Sequence, residues 1–382
     1  MLPPRRPGIL SPAPVPSTSA APPQRRTRKR AWFGCLPSHR LGRWPLCRPD
    51  ARSLPVALDE ASALWQHGRD TTRQHGVSGL YDIICYGTIC QDRIIRIPRY
   101  PEAGDSVWIE SDELRPGGEA VNSAIAWDRW GLSVLLLGTV LGRDDRAQWL
   151  LEELGNLAHV DASLLTASHR AETPYCLILA TPDAERTMFG RYFREMQGQP
   201  VAHLPEARVF TLDPYCGENA ARAARVARDR GMRVIAMDAV DRPDVASCAE
   251  LVVTSYQEIL RLVPDGDVRS FAARAARDLG RMLVLTLGAE GSEAYDMNGV
   301  LVHRQPAVTV PKDLVVDATG CGDVYRAGLV CGEAMGWPLP QSMAFASAAA
   351  ACNLTAAGGG AGVRSLDETL EIAALGRLDR PE

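Results

Sequence analysis

The chain has 382 residues, 46% of them hydrophobic and 23% charged, which suits one large domain or two modest ones. That apolar share excludes disorder of the whole chain, and no uncharged apolar run nears the roughly 18 residues that span a bilayer. The net charge of −4 hides an asymmetry: residues 1–80 carry 13 Lys and Arg against 4 Asp and Glu, so the remainder is strongly acidic and a poor platform for nucleic acid.

Ten cysteines show no CxxC pair and no metal-ligand spacing with His, so a reduced, cytoplasmic protein is expected. Only Lys29 and Lys312 are lysines, a bias read as coding preference.

Residues 1–78 hold 12 of the 27 prolines and the basic run from Arg25 to Arg30. Such a segment buries too little surface to offset its ordering entropy, so a disordered Pro/Arg-rich extension is expected. No 7–15-residue apolar stretch follows its arginines, which argues against a signal peptide. A miscalled translation start, a disordered tail and an organelle transit peptide all remain as explanations.

From Tyr81 onward short apolar runs recur, at 81–86, 133–137, 208–212, 233–238, 251–254 and 282–287. Helical patterns lie between several of them, at 120–130, 148–154, 218–230 and 268–279. Continuous apolar strands alternating with helices predict an α/β domain over 79–382 with a mainly parallel sheet covered on both faces. After Leu287 a hairpin is expected (292–295 with 300–303), then an apolar strand ending near Asp317, then helices at 322–335 and 341–354. The small residues Ala346–Ala351 suit tight packing against a sheet. Two regions alternate instead, about 106–113 and 174–193, and predict a small accessory sheet.

Ligands of open α/β sheets sit beyond the carboxyl ends of the strands, so the residues after each run carry the interest. The strongest signal is Asp317-Ala318-Thr319-Gly320-Cys321-Gly322-Asp323, which opens an apolar helix. Its glycines allow a sharp turn and close approach, and the free N–H groups at the helix start favour an anion. Asp323 is then either a helix cap or a general base aimed at an attacking hydroxyl. A second glycine pair, Gly117-Gly118, precedes a helix that holds Asn122 about one turn in. Thr286, Gly288 and Gly291 form a turn at another strand end, and Asp92 follows the first strand. The bland readings are a tight turn, a glycine turn and a solvated loop residue.

Several sites are missing. There is no GxxxxGK[ST], no GxGxxG after the first strand with an acid about 20 residues on, and no GxSxG. Gly358-Gly359-Gly360-Ala361-Gly362 reads as a flexible loop after a helix.

In this order the segments resemble the PfkB/ribokinase-like carbohydrate kinase family, over roughly Tyr81 to Arg364. Asp317–Asp323 looks like its D-T-x-G-A-G-D signature, and Gly117-Gly118 with Asn122 is similar to its N-terminal GG…N signature. The resemblance implies a ribokinase-like three-layer sandwich with a small β lid, and ATP-dependent transfer of phosphate to a hydroxyl of a sugar or nucleoside. It implies Asp323 as catalytic base and Gly320, Cys321 and Gly322 as an anion hole. Asp92, Gly117, Gly118 and Asn122 would bind acceptor hydroxyls, with Glu185 of the lid region as a further contact beside Arg186. Thr286, Gly288 and Gly291 would hold the nucleotide together with Gly322. Glu258 would act indirectly on Mg²⁺, and Asp317 and Thr319 match positions that help some members bind a monovalent cation such as K⁺. In several members the lid forms a homodimer contact; no nucleic-acid or membrane partner is implied.

The chain departs from the family at four places. Ser255 replaces the Asn of the N-x-x-E segment, and Glu119 stands where ribokinases often have Lys. Cys321 replaces Ala and puts a thiol at an anion site, where a lowered pKa is expected. Arg326 is unusual for its helix and reads first as a surface charge, second as a phosphate or substrate contact. A sugar kinase is the leading reading. The alternatives are a nucleoside kinase of the same family, a non-catalytic ligand-binding protein on this fold, and an enzyme whose basic segment is a targeting tail.

Overall fold

The computed structural model describes residues 80–182, 186–264 and 266–380, and the statements below concern those residues. The expected extension and Glu185 lie outside them. In chain order come β1 (Tyr81–Gly87), β2 (Cys90–Arg96), β3 (Ser111–Gly117), α1 (Glu119–Arg129), β4 (Val134–Gly138) and β5 (Leu141–Gly142). Next are α2 (Asp145–Gly155), β6 (Val160–Asp161), β7 (Ala167–Ser168), β8 (Tyr175–Ala180), β9 (Arg186–Arg191), β10 (Ala207–Leu212) and α3 (Gly217–Asp229). Then β11 (Arg233–Met237), α4 (Pro243–Ala246), β12 (Leu251–Ser255), α5 (Tyr256–Leu262), α6 (Val268–Leu279) and β13 (Met282–Thr286) follow. The hairpin β14 (Ser292–Tyr295) and β15 (Leu301–Gln305) leads to α7 (Cys321–Ala334), α8 (Leu339–Asn353) and α9 (Leu366–Leu375).

The large sheet has nine strands in the order β15-β14-β13-β12-β11-β10-β1-β4-β6. All neighbours from β13 through β6 are parallel, and the hairpin at the other edge is antiparallel. Its inner strands β1, β4 and β10–β13 are predominantly apolar because both faces are covered, whereas the edge strand β15 (LVHRQ) is half exposed. Along β1, Ile83 and Cys85 enter the core beneath α1, α7 and α8, while Ile84 and Tyr86 enter the opposite core beneath α3. That alternation makes the three layers. Side-chain caps start the helices where the sequence has short polar residues: Asp144 accepts from the amide of Ala147, Asp267 from that of Ser270, and Ser365 with Glu368 closes a capping box. No helix among the described residues is long and apolar enough to cross a membrane.

The strand order reverses at β1, which has β4 on one side and β10 on the other. A crevice is expected beyond the carboxyl ends at such a switch. The small sheet, β3-β2-β8-β9, stands beside it and is the lid. Three sequence expectations need correction here. The lid strand expected at 106–113 is Ser111–Gly117; it pairs antiparallel with β2 and carries Pro116 on the sheet's edge, where a missing N–H is tolerated. Asp92 lies on lid strand β2, not in a loop. The segment Leu314-Val315-Val316 is not a strand: its amides at Val316 and Asp317 donate to the carbonyl of Leu354 at the end of α8, so no ladder remains to join. The small residues of α8 pack towards the sheet, where Ala346 and Ala349 share a core with Val284 and Ala294, and also against a helix. A Cβ on Gly328 would lie 2.5 Å from the Ala346 Cα, so α7 and α8 touch backbone to backbone.

Candidate active site

Gly320 is the N-cap of α7, with φ +72°, a conformation that favours glycine. A Cβ there would lie 2.6 Å from the Gly359 Cα and 3.2 Å from Asn122 Nδ2, so the loop has room for hydrogen only. The amides at this helix start point along the positive end of the helix dipole. Asp323, in the first turn, is 8% exposed, and its Oδ2 accepts from Asn122 Nδ2 at 2.9 Å. Burial raises the Asp323 carboxyl; the Arg326 charge, the Asn122 hydrogen bond and Arg186 oppose the rise. Asn122 Oδ1 is buried and finds no partner.

The lid supplies Asp92, 6% exposed, whose carboxylate packs over Gly117: a Cβ on Gly117 would fall 2.1 Å from Asp92 Oδ2. Burial lifts the Asp92 carboxyl to about 6; a hydrogen bond from Cys90 opposes this, and the charges of Asp323 and Asp317 add to it. Gly118, with φ +94°, opens α1 and would strike the Thr88 carbonyl at 2.4 Å if it carried a Cβ. Asp92, Gly117, Gly118, Asn122, Gly320 and Asp323 are therefore drawn from three chain segments to one place.

Asp213 was not anticipated. It follows β10, fully buried, and accepts from Thr88 N at 2.7 Å, tying the ends of β1 and β10 at the switch point. Asp238 holds the corresponding place after β11; it accepts from Thr254 Oγ1 at 3.0 Å and Tyr215 OH at 3.3 Å, and burial followed by the Glu258 charge pushes it up to about 6. An acid directly after an apolar run was the available signal for both.

The turn Leu287–Gly291 lies beyond β13. Leu287 N donates to the Gly291 carbonyl at 2.8 Å, and Gly288 and Gly291 have φ +59° and +92°. Thr286 closes the strand and Gly288 is exposed. At the end of neighbouring β12, Ser255 accepts from Glu258 N at 3.1 Å and so caps α5, a structural job. Glu258 accepts from Arg261 Nη1 at 2.6 Å.

Three further expectations are overturned. The Cys321 thiol is pushed up by burial to about 11, only partly opposed by the Asn353 amide; desolvation outweighs the helix start. Arg326 is fully buried, not on the surface. Gly358–Gly360 is a buried turn, not a flexible loop: Gly358 N donates to Asp317 Oδ2 at 2.9 Å, and Gly359 leaves no space for a Cβ beside Asn122. Asp317 Oδ1 accepts from Thr319 N and Oγ1 at 2.9 and 2.8 Å, so this carboxylate ties both glycine turns together.

Residues 81–366 match the pfkB family carbohydrate kinase description over most of the chain. The chain belongs to the pfkB family. A nucleoside kinase of Methanothermobacter thermautotrophicus is 26% identical over 285 residues, covering 70% of this chain and 88% of that protein. A ribokinase of Lactococcus lactis is 24% identical over 303 residues, covering 74% and 93%. The Arabidopsis thaliana ribokinase structure, solved with ribose and ATP, aligns with a TM-score of 0.63 at 17% identity, covering 77% of this chain and 99% of that one. This pfkB protein is thus a phosphotransferase acting on an alcohol group, with the ribokinase-like fold of a large mainly parallel sheet and a lid.

Proposed function

We propose that this pfkB kinase transfers the γ-phosphoryl group of ATP to a hydroxyl of a sugar, with Asp323 as general base. The observation that carries the reading is the Asn122–Asp323 hydrogen bond beside Gly320, which unites both signature segments at one helix start. Asp323 accepts the acceptor's proton as the new bond forms. The amides of Gly320, Cys321 and Gly322 face the developing charge. Asp92, Asn122 and the Gly117–Gly118 backbone orient the acceptor hydroxyls. The Thr286–Gly291 turn holds the nucleotide. Phosphoryl transfer asks mainly for such positioning and charge neutralisation.

Mg²⁺, when bound with the nucleotide, supplies further neutralisation. The residues fit an indirect hold: the Glu258 charge reaches Asp238, and Glu258 is paired with Arg261 on its exposed side, while no cluster of three or more metal-ligating side chains occurs among the described residues. Mg²⁺ typically keeps several waters and uses one or two carboxylates with phosphate. A K⁺ role at Asp317 and Thr319 has its own check, turnover in K⁺ against Na⁺ at fixed ionic strength. Leu114, Met188 and Phe189 stand exposed on the lid and suit pairing with a second copy, which sedimentation would reveal.

A nucleoside acceptor is the second reading, favoured by the Methanothermobacter relative. ADP release with ATP and Mg²⁺ over a panel of sugars and nucleosides separates the two. Release with no panel member, in folded protein that still binds ATP, would overturn the kinase reading in favour of a binding protein.

A further inference from the structure

Arg326 lies one helical turn beyond Asp323 and is among the largest fully buried side chains. A guanidinium is always charged in proteins, and its burial is costly unless opposite charge lies near. Its Nη2 donates to the Glu119 carbonyl oxygen at 2.5 Å and to Ser123 Oγ at 2.7 Å, groups of α1 and neither of them a carboxylate. Its Nε and Nη1 are buried and find no partner. Ser123 Oγ also lies 3.1 Å from the backbone carbonyl of Asp323, so the guanidinium is pinned to the turn that carries the base. The Arg326 charge acts on three acids, Asp323, Asp213 and Glu119, none of whose carboxylates is hydrogen-bonded to it. We propose that Arg326 is a positioning residue, a shared counter-charge beneath the acceptor pocket that keeps the Asp323 carboxylate ionised and in place.

The inference rests on the kinase reading for its catalytic meaning, although the electrostatics stand apart from it. Asp323 is also faced by Asn122 of α1, Asp92 of β2, Cys85 of β1, Cys321 of its own helix, Asp238 after β11 and Arg186 of β9. Arg186 is exposed on the lid, where water and salt screen it, so Arg326 is the unscreened cation of the set. Burial raises all three acids, and the Arg326 charge lowers each of them.

Arg326→Gln keeps a hydrogen-bond donor and removes the charge; Arg326→Lys keeps the charge. In the Gln variant the folded-state pKa of Asp323 climbs further above its unfolded value. The native state then holds the extra proton, and stability falls as pH rises through that pKa. The Tm deficit of Arg326→Gln against the wild type is therefore expected to widen from pH 5 to pH 8, and Arg326→Lys to show little of this widening. Adding Asp323→Asn to Arg326→Gln should recover part of the deficit at pH 8. With an acceptor that turns over, the acid limb of kcat/KM in Arg326→Gln should move up by about one pH unit or more. A deficit that is constant with pH and additive with Asp323→Asn would assign Arg326 a packing role and overturn the proposal. If Arg326→Gln is insoluble, soluble protein from the Asp323→Asn double variant supports the proposal and its absence overturns it. Turnover by Asp323→Asn alone would instead sink the base assignment and leave the unfolding cycle intact.

Discussion

The two halves of the candidate site are built differently. On the side proposed for the nucleotide a turn of Gly288, Ala289 and Glu290 lies exposed beyond β13, and its shape comes from backbone hydrogen bonds. On the side proposed for the acceptor Asp92, Asn122 and Asp323 are 6%, 4% and 8% exposed, and Asp92 and Asn122 are packed against Gly117 and Gly359, which leave no space for a Cβ. Solvated amides can meet phosphate without desolvating a charge beforehand. Buried carboxylates pay a desolvation cost before any substrate arrives, which is why the Asp92 and Asp323 carboxyls are both raised. The nucleotide side is therefore expected to govern affinity, and the acceptor side to govern chemistry and its pH dependence.

The sharpest way to break this contrast is Asp323→Asn, expected to lower kcat by about 10²–10⁴-fold with ATP binding kept, read as ADP release and nucleotide titration. Gly320→Ala should follow, losing about 10²–10³ in kcat, because its methyl would drive Gly359 and Asn122 away from the anion-binding amides. Asp92→Asn should raise the acceptor KM about 10–100-fold, as loss of a charged hydrogen bond does. The same change should raise Tm by a few degrees at pH 8: the Asp92 carboxyl, held near 6 in the fold, costs stability as pH rises through 6, and an amide does not. The smallest effect belongs to Gly288→Ala. A Cβ there meets open space, so only its positive φ is strained, and a few-fold rise in the ATP KM with kcat nearly unchanged is expected. A loss of kcat in Gly288→Ala as large as that in Gly320→Ala would erase the distinction between the two sides.

Much of this was legible in the chain itself. Six parallel strands of the large sheet, β1, β4 and β10–β13, fall within a residue of the apolar runs, because a strand buried on both faces is mostly apolar; the two-residue β6 was too short to leave such a run. The glycine loop before Asp323 was readable because a tight turn into a helix demands glycine locally. Lid strand β2 was missed because its sequence, Cys90–Arg96, mixes polar and apolar residues in the manner of a loop. The Gly358–Gly360 turn was misread because glycines signal freedom locally, whereas here Asp317 and Asn122 hold them from outside.

The sequence by itself determined the alternation of strands and helices and the two glycine-led helix starts, since each depends on residues close together in the chain. The tertiary structure alone decided which charges are buried together. Arg326 meets the Glu119 carbonyl across 207 residues, and the Cys321 thiol is desolvated by packing rather than activated by its helix. Charge energy depends on distance and on excluded water, and both are properties of the folded chain.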